Sequence, residues 1–333
     1  MPFPRNADVI GAGPSGFLSQ TRGQTPEFRW TWYADGSSVV LPGASAAGGG
    51  SDLVVTGNRG LLSVSSVLRI HDVSKPAMAP VEIDLDALGN YDYSGLAGDN
   101  LLLGRYEGDH QVQYAVTLDA ATLAGGTPKL RKLVGGVQVD CDAADEAWTD
   151  TGSALYDCAI GDWRGPSKIL VDLASGTDTW LPQGKDEWAW DGAVSATHVA
   201  WREARLKGDG IVVVRRGETG WQWIPDAEAE VQDPLYLVGG WLASGQKAHI
   251  DASSTQPGVP NPTVRPFTLR SIETGEKAVV LTAFSSAVIG PDGSLLVRGG
   301  TPSRARASTG SRRAPTAAVR TSNSSRPPGS RPS

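Results

Sequence analysis

The sequence contains no run of 18 or more apolar residues, so a membrane-spanning helix is not expected. The residues after Met1, PFPRNADV, are not the basic and apolar leader that a signal peptide requires. Helical periodicity is nearly absent, and only residues 119–124 and 226–231 suggest a single helical turn. Short apolar runs separated by Gly, Pro, Asn and Asp predict an all-β chain.

Cysteine is also scarce: Cys141 and Cys158, 17 positions apart, are the only two. They either form a disulfide between neighbouring strands or are two small buried residues, and the disulfide is the favoured interpretation. Zinc would need four ligands, and the histidines are scattered singly, so no metal site is predicted. Each histidine is expected at the surface or as a satisfied core residue: His71, His110, His198 and His249.

Basic residues are outnumbered by acidic residues over most of the chain. The formal net charge is −6, but residues 301–333 hold seven arginines and no acidic residue, which leaves 23 basic against 36 acidic side chains in residues 1–300. An acidic body argues against nucleic acid as a partner.

One glycine motif, VIGAGPSGF at residues 9–17, is similar to a dinucleotide-binding turn. Such a turn needs a buried strand before it and a helix after it. Here the preceding apolar run is only Val9 and Ile10, and Gly23 and Pro26 interrupt any following helix. We therefore expect a tight turn that leads into the innermost strand of a β unit, and no cofactor.

Short apolar strands recur along the chain at intervals of about 36 to 54 residues. Their sequences are GFLSQT, DLVVTG, NLLLGR, ALYDCA, HVAWRE, GWLASG and SLLVRG. Most units end in a strand, a polar turn and a strand: WYADGSSVVLP, LVDLASGTDTWLP, VVVRRGETGWQWIP and LRSIETGEKAVVL. This spacing predicts a β-propeller of about seven blades over residues 1–300, with the last blade incomplete and starts near 16, 52, 99, 154, 198, 240 and 293. A pair of stacked β-sandwiches is the alternative.

Three W-x-W pairs place two aromatic rings on one face of a strand: Trp30 and Trp32, Trp188 and Trp190, and Trp221 and Trp223. They could be platforms for flat ligands such as sugars, or they could fill the wedge between blades. Packing is favoured because each pair is expected on a late strand, away from the channel. The weak ligand-binding candidates are Trp188, Trp190, Trp221 and Trp223. No catalytic residues can be assigned.

An acidic segment, VDCDAADEAWTD at residues 139–150, invites comparison with a calcium loop. It has no glycine for the sharp bend that such a loop requires, so a solvated loop is the favoured interpretation.

The segments PFPRNADVIGAGPSGFL, RWTWYADGSSVVLP, GSDLVVTG and VLRIHDV resemble the N-terminal region of secreted actinobacterial proteins with FG-GAP or VCBS repeats. The resemblance implies an exported, extracellular propeller and a leader upstream of the Pro-Phe-Pro segment. Calcium motifs of the Asp-x-Asp-x-Asp-Gly type are missing here, so calcium binding is not carried over.

Residues 301–333 do not continue the strand pattern and are rich in Arg, Ser, Pro, Thr and Ala. They are interpreted as a disordered tail translated out of frame, with a genuine basic tail as the alternative.

These observations favour a non-enzymatic, monomeric binding or scaffold module whose partner is an extracellular protein or carbohydrate. The alternatives are a secreted propeller enzyme that acts on carbohydrate, and the propeller half of a larger enzyme.

Overall fold

The computed structural model describes residues 7–22, 25–136, 139–143, 152–160, 167–182, 188–205, 208–225, 235–244, 267–281, 284–290, 293–299 and 319–321. Helix is limited in these ranges to α1 (Leu85–Gly89), α2 (Ala120–Leu123) and a 3-10 turn at Leu62–Val64. No helix in these ranges is long and apolar enough to cross a membrane. The prediction of an all-β chain is confirmed.

Six sheets are antiparallel meanders of four strands, and they form the blades of a β-propeller. Blade 1 contains β1 (Ala7–Ala12), β2 (Gly16–Thr21), β3 (Phe28–Trp32) and β4 (Ser38–Leu41); blade 2 contains β5 (Ser45–Gly48), β6 (Leu53–Gly57), β7 (Val67–Asp72) and β8 (Val81–Asp84). Blade 3 contains β9 (Asp92–Ala97), β10 (Asn100–Glu107), β11 (His110–Thr117) and β12 (Leu130–Val134); blade 4 contains β13 (Val139–Ala143), β14 (Ser153–Ile160), β15 (Ser167–Asp172) and β16 (Asp178–Trp180). Blade 5 contains β17 (Trp188–Val194), β18 (His198–Arg205), β19 (Gly208–Arg215) and β20 (Trp221–Pro225); blade 6 contains β21 (Leu235–Val238), β22 (Trp241–Ser244), β23 (Phe267–Ser271) and β24 (Lys277–Leu281).

The prediction of about seven blades is corrected to six. The remaining sheet joins β25 (Phe284–Ile289) and β26 (Leu295–Gly299) in antiparallel fashion, and β27 (Val319–Thr321) pairs with β26 in parallel. Within the described residues this C-terminal sheet has three strands and is not the four-strand meander of a blade. Its side chains pack against blade 6 on one side and blade 1 on the other, so it lies between the two ends of the ring. The rest of residues 301–333 lies outside the described part.

The blades are held together by apolar layers between neighbouring sheets. Successive side chains of a strand point to opposite faces of the sheet, so the second strand of a blade contributes to the apolar layers on both sides of that blade. In β10, Leu101 and Leu103 pack against blade 2, whereas Leu102 packs against blade 4. A strand that is buried on both faces reads as a continuous apolar run, which is why these segments recur so clearly in the sequence.

The recurring apolar segments are the second strands of their sheets, which corrects their prediction as innermost strands. The first strands of neighbouring blades contact one another, as β1 and β5 do, and therefore lie nearest the axis. Gly11 lies within β1, and a Cβ added there would meet the Cα of Gly48 in β5 at 2.9 Å. The Gly13 N–H donates to the Gly16 carbonyl at 2.9 Å and closes a β-hairpin. These glycines allow a tight turn and the close approach of two inner strands.

The four predicted polar turns all join the third and fourth strands of a blade, which confirms them as hairpins. Three of them share one hydrogen-bond pattern. In blade 4 the Gly176 N–H donates to the Asp172 carbonyl at 2.8 Å, and the Asp172 N–H donates to the Thr177 carbonyl at 2.9 Å. Gly36 and Gly275 occupy the place of Gly176, and all three have positive φ angles, 73°, 70° and 74° in the order 36, 275, 176. Glycine adopts this conformation without steric cost.

Cys141 of β13 and Cys158 of β14 lie opposite each other, fully buried, with their Cα atoms 4.1 Å apart and their sulfurs bonded. We expect the double variant Cys141→Ala/Cys158→Ala to lose about 2–3 kcal/mol of unfolding free energy, because a cross-link over this span restricts the unfolded chain. Urea unfolding measures the loss. An intact mass two hydrogens below the reduced value identifies the bond, and two titratable thiols in the unfolded, unreduced protein would contradict it.

Candidate functional site

One backbone hydrogen bond recurs in all six blades and ties the third strand to the turn between the first two strands. The N–H of the residue that follows the third strand donates to a carbonyl in that turn, over 2.7 to 3.0 Å. We call this residue the tie residue of its blade. The tie residues are Tyr33, Val73, Leu118, Leu173, Arg216 and Ile272.

Five of the six tie residues are apolar or aromatic, and each packs against the preceding sheet. Leu173 of blade 4, for example, belongs to the layer shared with blade 3, and Ile272 of blade 6 belongs to the layer shared with blade 5. Blade 5 has Arg216 instead. Its guanidinium is half-buried and donates to Ser153 Oγ at 2.6 Å and to the Ser195 carbonyl at 3.2 Å. The junction between blades 4 and 5 therefore has an apolar layer but lacks an apolar tie residue.

A second feature of the same junction is a short side chain on the fourth strand of blade 4. Arg131 of blade 3 donates to the carbonyl of the next tie residue, Leu173, and Gln222 of blade 5 donates to that of Ile272 at 3.4 Å. Each donor lies on the fourth strand of its blade. Arg131 pairs with Ala115, three residues before the tie residue Leu118, and Gln222 pairs with Val213, three residues before the tie residue Arg216. In blade 4 this position is Thr179, which pairs with Leu170. The equivalent residues of blades 1, 2 and 6 are Val39, Val81 and Ala278, so a short side chain is common at this position, but only at this junction does it combine with an arginine tie residue.

The arginine tie residue and this short side chain coincide with a cavity of about 480 Å³, which we call the junction groove. Its walls come from the β15–β16 hairpin of blade 4 and the β19–β20 turn of blade 5. The lining residues are Leu170, Asp172, Thr177, Thr179, Trp180, Leu181, Pro182, Val199, Val214, Arg215, Arg216, Gly217, Glu218 and Thr219. Its volume lies in the range of sites that hold small ligands.

The charges of the junction groove are balanced. Asp172 Oδ1 accepts from both the N–H and the hydroxyl of Ser175 at 2.7 Å. These bonds, with the charge of Arg216 as a weaker cause, lower the pKa of Asp172, so the group is a carboxylate at neutral pH. Arg215 lies 3.6 Å from Glu218, and both are exposed. Two arginines thus face two carboxylates.

Trp180 supplies the aromatic surface of the junction groove. It is the last residue of β16, pairs with Ile169 and is 43% exposed. The next two residues, Leu181 and Pro182, continue the apolar lining. Trp180 does not stand out in the sequence, because it occurs alone rather than in a W-x-W pair. The signal for the site is visible once the hairpins are aligned on their turns, where Arg replaces an apolar residue.

The predicted tryptophan candidates lie elsewhere. Trp221 and Trp223 are on β20, the outermost strand of blade 5, and Arg205 stacks over both rings at 4.5 and 4.0 Å. Trp223 packs into the layer between blades 4 and 5, whereas Trp221 is 48% exposed.

The other two W-x-W pairs lie on different kinds of strand: one is on the first strand of a blade and the other is on a third strand. Trp188 and Trp190 are on β17, the first strand of blade 5, which corrects their placement on a late strand. Their side chains lie outside the described part. Trp30 is fully buried on β3, and Trp32 packs beside it in the layer between blades 1 and 2, so this pair has the packing role that was favoured.

Only part of the acidic segment at residues 139–150 lies within the described residues. Asp140 accepts from the Gln111 N–H at 2.6 Å, and Asp142 belongs to β13. Asp145, Glu146 and Asp150 lie outside the described residues. Within the described part, no three His, Cys, Asp or Glu side chains are grouped to hold a metal ion.

His71 is a buried histidine whose Nε2 lies 2.9 Å from Thr56 Oγ1. Burial, followed by the charge of Arg69, lowers the pKa of His71 to about 4. The unfolded chain takes up a proton near pH 6.5, so the stability is fully present above that pH and is lost as the pH falls toward 4. From pH 7 to 4.5 this residue should cost roughly 2 kcal/mol. Urea midpoints at both pH values should show this fall in the wild type and a smaller fall in His71→Gln; equal falls would contradict it.

Solved structures similar to this chain include peptidases. The prolyl endopeptidases have a TM-score of 0.55 and 11% identity, with 86% of this chain and 45% of that chain covered. The β-propeller domain of the trilobed protease from Pyrococcus furiosus has a TM-score of 0.53 and 10% identity, with 84% of each chain covered. An acylaminoacyl peptidase from Pyrococcus horikoshii has a TM-score of 0.51 and 12% identity, with 84% of this chain and 45% of that chain covered.

The fold is that of a β-propeller. At these identities the likeness shows the fold alone. This chain spans less than half the length of the prolyl endopeptidases and the acylaminoacyl peptidase. No family model matches the sequence, and no curated protein is significantly similar to it.

Proposed function

We propose that this chain is a non-enzymatic, extracellular propeller that binds a ligand in the junction groove. The observation that carries the proposal is the replacement of the apolar tie residue by Arg216 in one blade only. Natural repeats keep the residues that pack the layers between blades, and a single departure beside a cavity indicates a position used for something other than packing. The bonded cysteines support the extracellular location, because disulfides persist in oxidising compartments.

The variant Arg216→Leu tests the proposal by restoring the apolar tie residue. Leucine should close part of the junction groove and weaken ligand binding by about tenfold or more. Its stability should change by no more than about 1 kcal/mol, because burial of the leucine side chain offsets the loss of the hydrogen bonds to Ser153 and Ser195. Arg69→Leu is the matched control, since Arg69 lies on the third strand of blade 2 in an exposed ion pair with Glu82.

The measurement is ligand-observed NMR with a fragment library on the intact chain. Fragments that bind the wild type and Arg69→Leu but not Arg216→Leu would support the proposal. Binding that is the same in all three proteins, or absent from all three, would contradict it.

The share of the peptidase chains that this chain covers favours a second function. This chain matches 45% of the prolyl endopeptidase chain and 45% of the acylaminoacyl peptidase chain, and inter-domain dynamics have a role in catalysis and specificity in the former. This chain would then be the propeller half of a larger enzyme. The native protein decides between the two: a product near 34.9 kDa without peptidase activity supports the binding module, and a larger product that cleaves peptides supports the enzyme.

A further inference from the structure

We infer that the junction groove binds a neutral sugar ring, with Trp180 as the stacking surface. The inference rests on the proposed function and names the chemical class of its ligand.

Charge balance is the first reason. Arg216 is already held by Ser153 and Ser195, and Asp172 is already held by Ser175. Arg215 and Glu218 lie close enough to neutralise each other's field. An anion or a cation of one sign gains little net attraction from such a site and still loses its hydration. A neutral ligand avoids that cost.

The distribution of apolar and hydroxyl groups is the second reason. The apolar lining residues Leu170, Leu181, Val199 and Val214 are buried, and Trp180 adds a large, partly exposed ring. Thr177, Thr179 and Thr219 add hydroxyls, which both donate and accept. A sugar ring presents C–H groups on its face and hydroxyls around its edge. The face suits an aromatic ring, and the hydroxyls suit threonine, carboxylate and guanidinium groups.

The local strand geometry gives a third reason, because it disfavours an extended peptide. Peptides that add to a sheet edge gain affinity from main-chain hydrogen bonds along several residues. The edge strand beside the junction groove, β16, is three residues long and is followed by Leu181 and Pro182. Proline has no N–H to donate to an added strand. Recognition here therefore depends on side chains, as in a small-molecule pocket.

The experiment uses saturation-transfer NMR and titration of the intact chain with maltose, cellobiose, lactose and diacetylchitobiose. Glucuronate and glucosamine serve as charged sugars. We expect transfer to the ring C–H protons of at least one neutral disaccharide, and weaker binding of both charged sugars. Trp180→Ala should weaken the binding about tenfold or more. Tyr106→Ala is the control, because Tyr106 is an exposed aromatic residue on β10 of blade 3, outside the junction groove, and it should leave the affinity unchanged.

A second variant distinguishes a specific loss of binding from a folding defect in Trp180→Ala. Thr179→Gln introduces the side chain that blade 5 carries at the equivalent position, Gln222, and should also weaken sugar binding by filling the junction groove. The inference is overturned if no neutral disaccharide binds, if a charged sugar binds more tightly, or if Trp180→Ala and Thr179→Gln bind like the wild type. Fragments that still bind in an Arg216-dependent manner would then leave the proposed function standing. Loss of every Arg216-dependent binder would remove both.

Discussion

The variant Trp201→Ala should lose about 3–5 kcal/mol of unfolding free energy. Trp201 lies on β18 with no exposed surface, and it packs into the layer between blades 4 and 5 with Leu155, Leu170 and Val212. Removing the indole leaves a cavity that the surrounding strands cannot fill, because their backbones are fixed by the sheets on both sides. The lost packing and the cavity both destabilise the folded state.

A buried carboxylate adds to this effect. The Trp201 Nε1–H donates to Glu203 Oε2 at 3.1 Å, and Arg205 donates to the other oxygen of the same carboxylate at 2.8 Å. Glu203 is fully buried, so a lost donor leaves part of its charge without compensation, at a cost of about 1–3 kcal/mol. The total effect should therefore lie at the upper end of the range for a tryptophan.

Trp221→Ala is the control in the same blade. Trp221 is largely exposed on β20, and its main contact is the stacked Arg205 guanidinium at 4.5 Å. A contact of this kind contributes about 0.5–1 kcal/mol at an exposed site, so the control should lose no more than that. Urea unfolding followed by far-UV circular dichroism measures both variants without relying on tryptophan fluorescence. Equal losses in the two variants would show that the layer between blades 4 and 5 is not packed as described.

The variant Gly49→Ala should destabilise the chain by about 3 kcal/mol or more, to the point of poor soluble expression. A Cβ at position 49 would lie 2.0 Å from the carbonyl oxygen of Leu96 in the next blade. The Gly49 carbonyl also accepts from the Gly98 N–H at 2.6 Å, which fixes the two turns against each other. Both partners are backbone atoms, so no change of rotamer relieves the clash, and the inner ends of blades 2 and 3 must move apart.

Gly60→Ala is the matched control for Gly49→Ala. Gly60 is exposed in the same blade, and a Cβ there would have open space around it. Neither glycine has a positive φ, so the two variants differ in steric space and not in backbone preference. The control should stay within about 0.5 kcal/mol of the wild type. A stable, soluble Gly49→Ala protein would refute the close approach of the inner strands.

The same physical reason explains why the innermost strands were misplaced from the sequence. Near the axis β1 and β5 approach so closely that only glycine fits at position 11, and Gly49, just after β5, lies against the backbone of Leu96 in blade 3. Strands built from such residues give little apolar signal. The second strands are flanked within the sheet and covered on both faces, so they carry the strongest apolar runs and dominate any search for repeats.

The sequence by itself determined the all-β class, the hairpin turns and the period of the repeat. These features depend on short-range rules: side-chain alternation, positive φ at glycine and the spacing of apolar runs. The position of Cys141 opposite Cys158 also follows from neighbouring strands, and the sequence already favoured their pairing.

Tertiary structure alone decided the number of blades and the place of the candidate site. In the part of the chain that the structure describes, the repeat from residue 284 onward forms the sheet of β25 to β27 and not a four-stranded meander, and strand pairing is a property of the closed ring rather than of the repeat. The junction groove depends on Thr179, Trp180 and Arg216, which belong to two blades. Whether an arginine at a tie position closes a junction or leaves it open depends on the side chains that the preceding blade places opposite it, and only the packing of the two sheets brings them together.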